Sequence, residues 1–279
     1  MPGTDNLKYN EVSFKASHNS YDRDESTHEQ LDFHAQDPSR CGCRGLEFDI
    51  WRHSGEKERF FTVSHTQILS TGPPLASYLG QLLSWHLNNP RHDVIFVTLD
   101  IKSSQGDLHT FPDEIDNYLK QFFNVNLIFR PSTLFFDGRL SLLQNVITFG
   151  WPQLVNMKDK FIFCLSGTED WKNFYASFDP RNRLCFCDKD FDDNNSNIFP
   201  PSSGNFVFFN THLFSAHHDK WRITIPRFKA KNLIVRAYEI DGEALWQNSL
   251  SAGVSALATN QVSGKSWAKV ANAPFVQRK

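Results

Sequence analysis

The sequence predicts an α/β fold, a closed (β/α)8 barrel of the TIM type, and three observations predict it. Short runs rich in Val, Ile and Phe alternate with longer stretches that are apolar at helical spacing. That is the pattern of βα units around a parallel sheet. Eight candidate strands fall within 279 residues, and one such barrel takes about 250. No Gly-x-Gly-x-x-Gly follows the first strand and no Walker loop occurs anywhere. This takes weight from the open nucleotide-binding sheets that would give the same alternation. The expected organisation is one barrel over residues 1–279, with its core at about 11–262.

The candidate strands are residues 12–18, 46–52, 60–65, 94–102, 160–165, 206–211, 233–240 and 256–262. Between them, residues 75–88 are apolar at helical spacing and stop at Asn88-Asn89-Pro90, a sequence that cannot continue a helix. Residues 113–123 and 242–252 read as helices too, the second stopped by Gly253. Residues 183–188 form a further short apolar segment, expected as an excursion between barrel units. The clearest long loop is 191–204, with Asp192, Asp193 and Pro200-Pro201. Asp188, Asp190 and Asp192 imitate the start of an EF-hand loop. Asp193 stands where that loop needs Gly and Phe199 where it needs Glu, so the imitation fails.

Composition narrows the function. The 29 Lys+Arg nearly cancel the 31 Asp+Glu, leaving a formal net charge of -2. That excludes the basic face of an extended nucleic-acid binder and a polybasic membrane arm. The amino terminus has no basic stretch followed by an apolar run, so no signal peptide is visible. No segment approaches the ~18 apolar residues of a membrane span. The expectation is a soluble chain without a transmembrane segment, intracellular, or else mature or unconventionally exported, and a monomer. An Asn-x-Ser match at Asn194 is too weak to prove secretion. The five cysteines form Cys41/Cys43, Cys185/Cys187 and a lone Cys164. Cys-x-Cys is not the usual zinc knuckle, so reduced, buried thiols are expected.

The chemistry is carried by polar residues where apolar ones would be the default. Strand one ends Ser17-His18-Asn19, strand two holds Glu47 and Asp49 and is followed by Arg52, the third run ends at His65, and strand four carries Asp100 and Lys102. Residues two apart share a strand face. Ile95, Val97, Leu99 and Ile101 make one face wholly apolar, while Phe96, Thr98, Asp100 and Lys102 become ionic toward the carboxyl end. Leu46, Phe48 and Ile50 oppose Glu47, Asp49 and Trp51 in the same way. Inward carboxylates are costly unless paired or metal-bound, and the carboxyl ends of the strands are where barrel enzymes build their sites. Three carboxylates and an amide oxygen from Asn19 form a hard ligand set suited to Ca2+ or Mg2+. A cation flanked by two imidazoles suits phosphodiester cleavage, with Lys102 neutralising phosphoryl charge.

Ser17-His18-Asn19-Ser20-Tyr21, Gly45-Leu46-Glu47-Phe48-Asp49-Ile50-Trp51 and Val63-Ser64-His65 resemble, in that order, the catalytic half of Ca2+-dependent phosphatidylinositol-specific phospholipase C. Gly150-Trp151-Pro152 with Lys160 to Phe163, and the stretch from Ala252 to Asn260, resemble its compact bacterial and fungal forms. The resemblance runs over residues 11–262. It implies phosphatidylinositol cleavage to diacylglycerol and a cyclic inositol phosphate, with His18 and His65 as the catalytic histidines. It further implies Asn19, Glu47, Asp49 and Asp100 as Ca2+ ligands, Lys102 and Arg52 on the phosphate, and a phospholipid substrate met at a membrane surface. Two departures stand out. Asp100 occupies a position that is usually Glu in the eukaryotic enzymes. Asp100-x-Lys102 also resembles sphingomyelinase D and glycerophosphodiesterases, although Asn19 stands where the latter have Arg. An activity of that kind, or a catalytically silent barrel that binds lipid headgroups, are the alternatives. Among the 26 Phe residues, Phe135, Phe136 and Phe199, together with Trp267, are candidate interfacial anchors.

Overall fold

The computed structural model describes residues 4–34, 36–37, 40–54, 60–66, 72–104, 106–191, 204–212 and 218–279. Eight parallel strands form a ring: β1 (Val12–Ser17), β2 (Gly45–Arg52), β4 (Ile95–Ser104), β5 (Phe161–Gly167), β6 (Phe186–Asp190), β7 (Phe208–His212), β8 (Ile234–Tyr238) and β9 (Ala256–Thr259). Pairing of β1 with both β9 and β2 closes it. At the β1–β2 seam Ala16 lies opposite Gly45. A Cβ on Gly45 would stand 2.6 Å from that of Ala16, so the seam needs glycine. The expected closed barrel is therefore what forms.

One strand assignment is corrected. The run 60–65 contributes β3 (Phe61–Val63), but it pairs antiparallel to β2, Ile50 opposite Val63, and stands outside the ring. The reason is the connection: residues 53–60 are fewer than the dozen that a parallel crossover needs. Its place in the ring goes to β6, Phe-Cys-Asp-Lys-Asp, in the region expected to be an excursion. A final strand, β10 (Phe275–Gln277), runs antiparallel along β1.

The helices follow their capping chemistry. The expected helices are α2 (Leu75–Asn88), α3 (Phe111–Phe122) and α7 (Glu243–Ala252), and α2 buries Leu75, Leu79, Leu82 and Trp85. Four further ones were not expected: α1 (Thr27–Leu31), α4 (Leu142–Phe149), α5 (Glu169–Ala176) and α6 (His218–Lys229). In α4, Ser141 and Gln144 cap each other's backbone and Gly150 ends the helix at φ 73°. No helix among the described residues is long and apolar enough to cross a membrane.

Inside the ring the two ends differ. Phe96 and Phe208 stack at 5.1 Å, Phe186 meets Phe208 edge-on at 5.1 Å, and Trp151 joins them at 5.4 Å from Phe208. This aromatic plug fills the amino-terminal end, and the segment holding α4 covers it through Trp151, whose backbone N–H reaches Asn10 Oδ1. Much of the Phe content is thereby core. Phe135, under the Arg181 guanidinium at 4.9 Å, belongs to this covered end. So does the exposed Phe136, in ring contact with Phe149 at 5.6 Å. Both lie away from the carboxyl ends of the strands. Trp267 packs on Trp246, and Phe199 lies outside the described residues.

Candidate active site

At the carboxyl ends the period-two faces place the ionic residues inward. The β2–β4 register sets Asp49 beside Asp100, and β4–β5 sets Asp100 beside Ser166. Glu47, Asp49 and Asp100 each bring a carboxylate oxygen within 4.8 Å of the others. Glu47 and Asp100 line an open cleft together with His18, Asn19, His65 and Lys102, and Asp49 is buried beside it.

His18 follows β1 with its N–H on the Thr259 carbonyl at 3.0 Å. Its Nδ1 is 3.0 Å from Asn260 Oδ1 and its Nε2 3.8 Å from Glu47 Oε2. The Asn260 amide nitrogen donates to Asp241 at 2.5 Å, so the Asn260 oxygen must face the imidazole. Nδ1 therefore carries the proton, and the Nε2 lone pair faces the carboxylates. Asn19 adopts a left-handed backbone, φ 46°, which aims its N–H at Glu47 Oε2, 3.0 Å away.

His65 reaches the cleft although β3 is not a barrel strand. The Ser64 N–H bonds the Asp49 carbonyl at 3.0 Å, and Trp51 Nε1 donates to the Ser64 carbonyl at 2.7 Å. His65 Nδ1 then lies 3.0 Å from Asp49 Oδ2, with the ring largely exposed. Asp49 Oδ2 also accepts from the Tyr21 hydroxyl at 2.8 Å and faces Lys102 Nζ at 3.2 Å. Lys102 bonds Asp100 Oδ2 at 2.8 Å.

Arg52 is not brought to this cluster. It shares the outward face of β2 with Leu46, Phe48 and Ile50, pairs with Glu114 of α3 at 2.5 Å, and lies against Phe60 and Trp171. The guanidinium facing the carboxylates is that of Arg236 in β8, 2.7 Å from Glu47 Oε2 and 2.8 Å from Asn210 Oδ1. Tyr238 stacks on His18 at 5.7 Å and on His212 at 5.1 Å. Asp190, Asn210, Tyr238 and Glu239 complete the far wall. Sequence reasoning missed these, together with Asn260 and Asp241. The signal is the same period-two alternation that marks Glu47 and Asp100: Asp190 in β6 and Arg236 and Tyr238 in β8 fall on the inward parity of their strands.

The electrostatics leave a deficit of positive charge. Burial pushes the Glu47 carboxyl up, but Arg236, His18 and the Asn19 N–H outweigh it, and Glu47 sits below its ordinary value. Burial raises the Asp100 carboxyl, with Lys102 opposing and Glu47 and Asp49 adding to the rise. Burial would lower Lys102, but Asp100 and Asp49 hold its ammonium above the usual lysine range. Among the described residues two cations thus face three carboxylates, and buried Asp49 Oδ1 and Asp100 Oδ1 have no hydrogen-bond partner. An oxygen-rich, net-negative cradle with two orphaned oxygens fits a hard divalent cation. Gly167 keeps it open: its φ is 83°, and a methyl there would overlap Asp100 Oδ1 and the Ile101 carbonyl. Among the described residues no cysteine belongs to a group able to hold a metal, and all five thiols are free and buried, as expected.

A family model described as phosphoinositide phospholipase C, Ca2+-dependent, matches residues 53–200, a stretch holding His65, Asp100 and Lys102. Among solved structures, the chain is similar to an apo calcium-dependent phosphoinositol-specific phospholipase C from Pseudomonas sp. Identity is 19%, the match covers 99% of this chain and 97% of that one, and the TM-score is 0.79. The myoinositol complex of that protein matches at 17% identity over the same shares, TM-score 0.79. A Ca2+-dependent phosphatidylinositol-specific phospholipase C from Streptomyces antibioticus matches at 17% identity over 91% of this chain and 95% of that one, TM-score 0.69. At these identities the likeness is one of fold. No curated protein matches the sequence.

Proposed function

The chain belongs to the Ca2+-dependent phosphoinositide phospholipase C family, whose members are phosphoric diester hydrolases, and from that premise we propose that it cleaves phosphatidylinositol-type lipids to diacylglycerol and a cyclic inositol phosphate. The observation that carries this reading is the pairing of a carboxylate cradle with two imidazoles of set orientation, His18 held by Asn260 and His65 held by Asp49. In this reading the 279 residues act as one monomeric catalytic barrel, engaging the bilayer peripherally with the carboxyl ends of the strands.

Glu47, Asp49, Asp100 and Asn19 would hold Ca2+, which when bound supplies positive charge against phosphoryl oxygens. His18 Nε2, the ring's free lone pair, takes the proton of the inositol hydroxyl that attacks phosphorus. His65, exposed at the cleft rim and anchored through Nδ1, gives a proton from Nε2 to the departing diacylglycerol oxygen. Acid–base steps of this kind contribute about 10²–10⁴-fold in rate. Lys102, which carries the cleft-lining ammonium between Asp49 and Asp100, faces the phosphate. Arg236 holds Glu47 ionised and in place. Arg52, committed to Glu114, has no part in the reaction.

The test is phosphorus NMR on phosphatidylinositol vesicles, and separately on sphingomyelin and lysolipid dispersions, each with Ca2+ and with excess chelator. A cyclic phosphate released with the inositol, formed only with Ca2+, is expected. A cyclic phosphate left on a lysolipid or sphingolipid would make it a phospholipase D-like enzyme instead, and full turnover in chelator would remove the metal. Binding without turnover of any headgroup would leave a silent barrel. His18→Ala and His65→Ala should each lose about 10²–10⁴-fold in rate with circular dichroism unchanged.

A further inference from the structure

At the opposite end of the barrel three metal-ligating side chains converge that the reaction does not use. His86 lies in the last turn of α2, His92 in the turn entering β4, and Asp159 in the turn entering β5. Each offers a ligand atom within 4.8 Å of the others. His86 Nδ1 and His92 Nε2 point at one another 2.9 Å apart, with the rings perpendicular. His92 is buried, wedged between Trp85 and Phe161, and its Nδ1 donates to the Asp93 carbonyl at 2.6 Å. That bond leaves Nε2 as a lone pair, and a ligating histidine is held in this way by its second nitrogen. Asp159 Oδ1 is buried without a hydrogen-bond partner among the described residues, while its backbone N–H ties to the His92 carbonyl at 3.0 Å.

We propose that His86, His92 and Asp159 form a second metal site, for a borderline divalent transition ion of the Zn2+ type, that clamps α2 to the turns entering β4 and β5. Two imidazole nitrogens and one carboxylate oxygen favour such an ion over Ca2+. Three protein ligands leave one position for water. On binding, the proton that His86 Nδ1 shares with His92 moves to His86 Nε2, and the ion takes its place between the rings. The site is structural: it lies where α2 packs on the outer side of the ring, against Trp85 and Phe161, away from the cleft.

Co2+ titration of the Ca2+-saturated protein, followed by visible absorption, tests this, with Zn2+ as competitor. One equivalent should bind without thiolate charge-transfer bands and be displaced by Zn2+. His86→Gln and Asp159→Asn, both at partly exposed residues, should weaken binding at least about 10-fold. Glu47→Gln, in the cleft, should leave the signal intact. Absence of saturable binding, or loss in Glu47→Gln with retention in the other two, would overturn the site. So would an anomalous map of zinc-soaked wild-type crystals with no peak between His86 and His92, whatever the variants do.

Discussion

His18 Nδ1 lies 3.0 Å from Asn260 Oδ1, and that contact decides which imidazole nitrogen faces the carboxylates. Asp241 decides it in turn, by taking both the backbone and side-chain N–H groups of Asn260. Asn260→Leu frees the His18 ring to rotate and to adopt the other tautomer. We expect kcat to fall about 10- to 100-fold, the scale of lost orienting partners, with KM nearly unchanged. Asp241→Asn should fall in the same direction but less, because one oxygen still accepts. Steady-state rates on lipid vesicles check both; a changed KM with intact kcat would contradict the orienting role.

The two arginines separate stability from activity. Arg52→Leu breaks the ion pair with Glu114 and should cost about 1–3 kcal/mol of unfolding free energy, with kcat/KM near wild type. Arg236→Leu leaves buried Glu47 without its guanidinium and should lower turnover at least about 10-fold. Urea unfolding and kinetics on the same preparations decide it, and an inactive but stable Arg52→Leu would reverse the assignment.

Crowded carboxylates make the cradle a place where function opposes stability. Ca2+ should raise the thermal midpoint, corresponding to about 2.7 kcal/mol at a hundredfold excess over Kd. Asp100→Asn should be more thermostable than wild type in chelator and respond weakly to Ca2+. Scanning calorimetry with and without Ca2+ gives the answer directly.

Gly167→Ala tests the cradle's shape without touching a ligand. A non-glycine side chain at φ 83°, overlapping Asp100 Oδ1 and the Ile101 carbonyl, costs of the order of 1–3 kcal/mol in strain alone. The Ca2+ concentration for half-maximal activity should rise, and half-activation equal to that of wild type would contradict the close approach.

Thiol reactivity follows from burial. The Cys41 thiol is pushed up to about 12 and Cys43 up to about 11, chiefly by desolvation. A disulfide reagent at pH 8 should titrate the five cysteines rapidly only in denaturant, since the thiolate is the reacting form.

The local pattern of the chain determined a good deal. Period-two alternation in β2 and β4 was enough to put Glu47, Asp49, Asp100 and Lys102 on inward faces, because side-chain direction in a strand is a property of neighbouring residues. The same local rule misread β3 and β6. A three-residue arm and a barrel strand ending in Asp-Lys-Asp differ only in what they pair with. The resemblance put Arg52 on the phosphate, whereas its parity on β2 turns it outward to Glu114. What only the tertiary structure decided are the contacts between distant segments: Asn260 on His18, Arg236 on Glu47, Asp159 beside His86 and His92. Such contacts depend on which strands the closed ring makes neighbours and on the shear between them, and no window of sequence holds both partners. The residue types are therefore written in the chain, and their orientation, tautomer and charge balance come from the closing of the barrel.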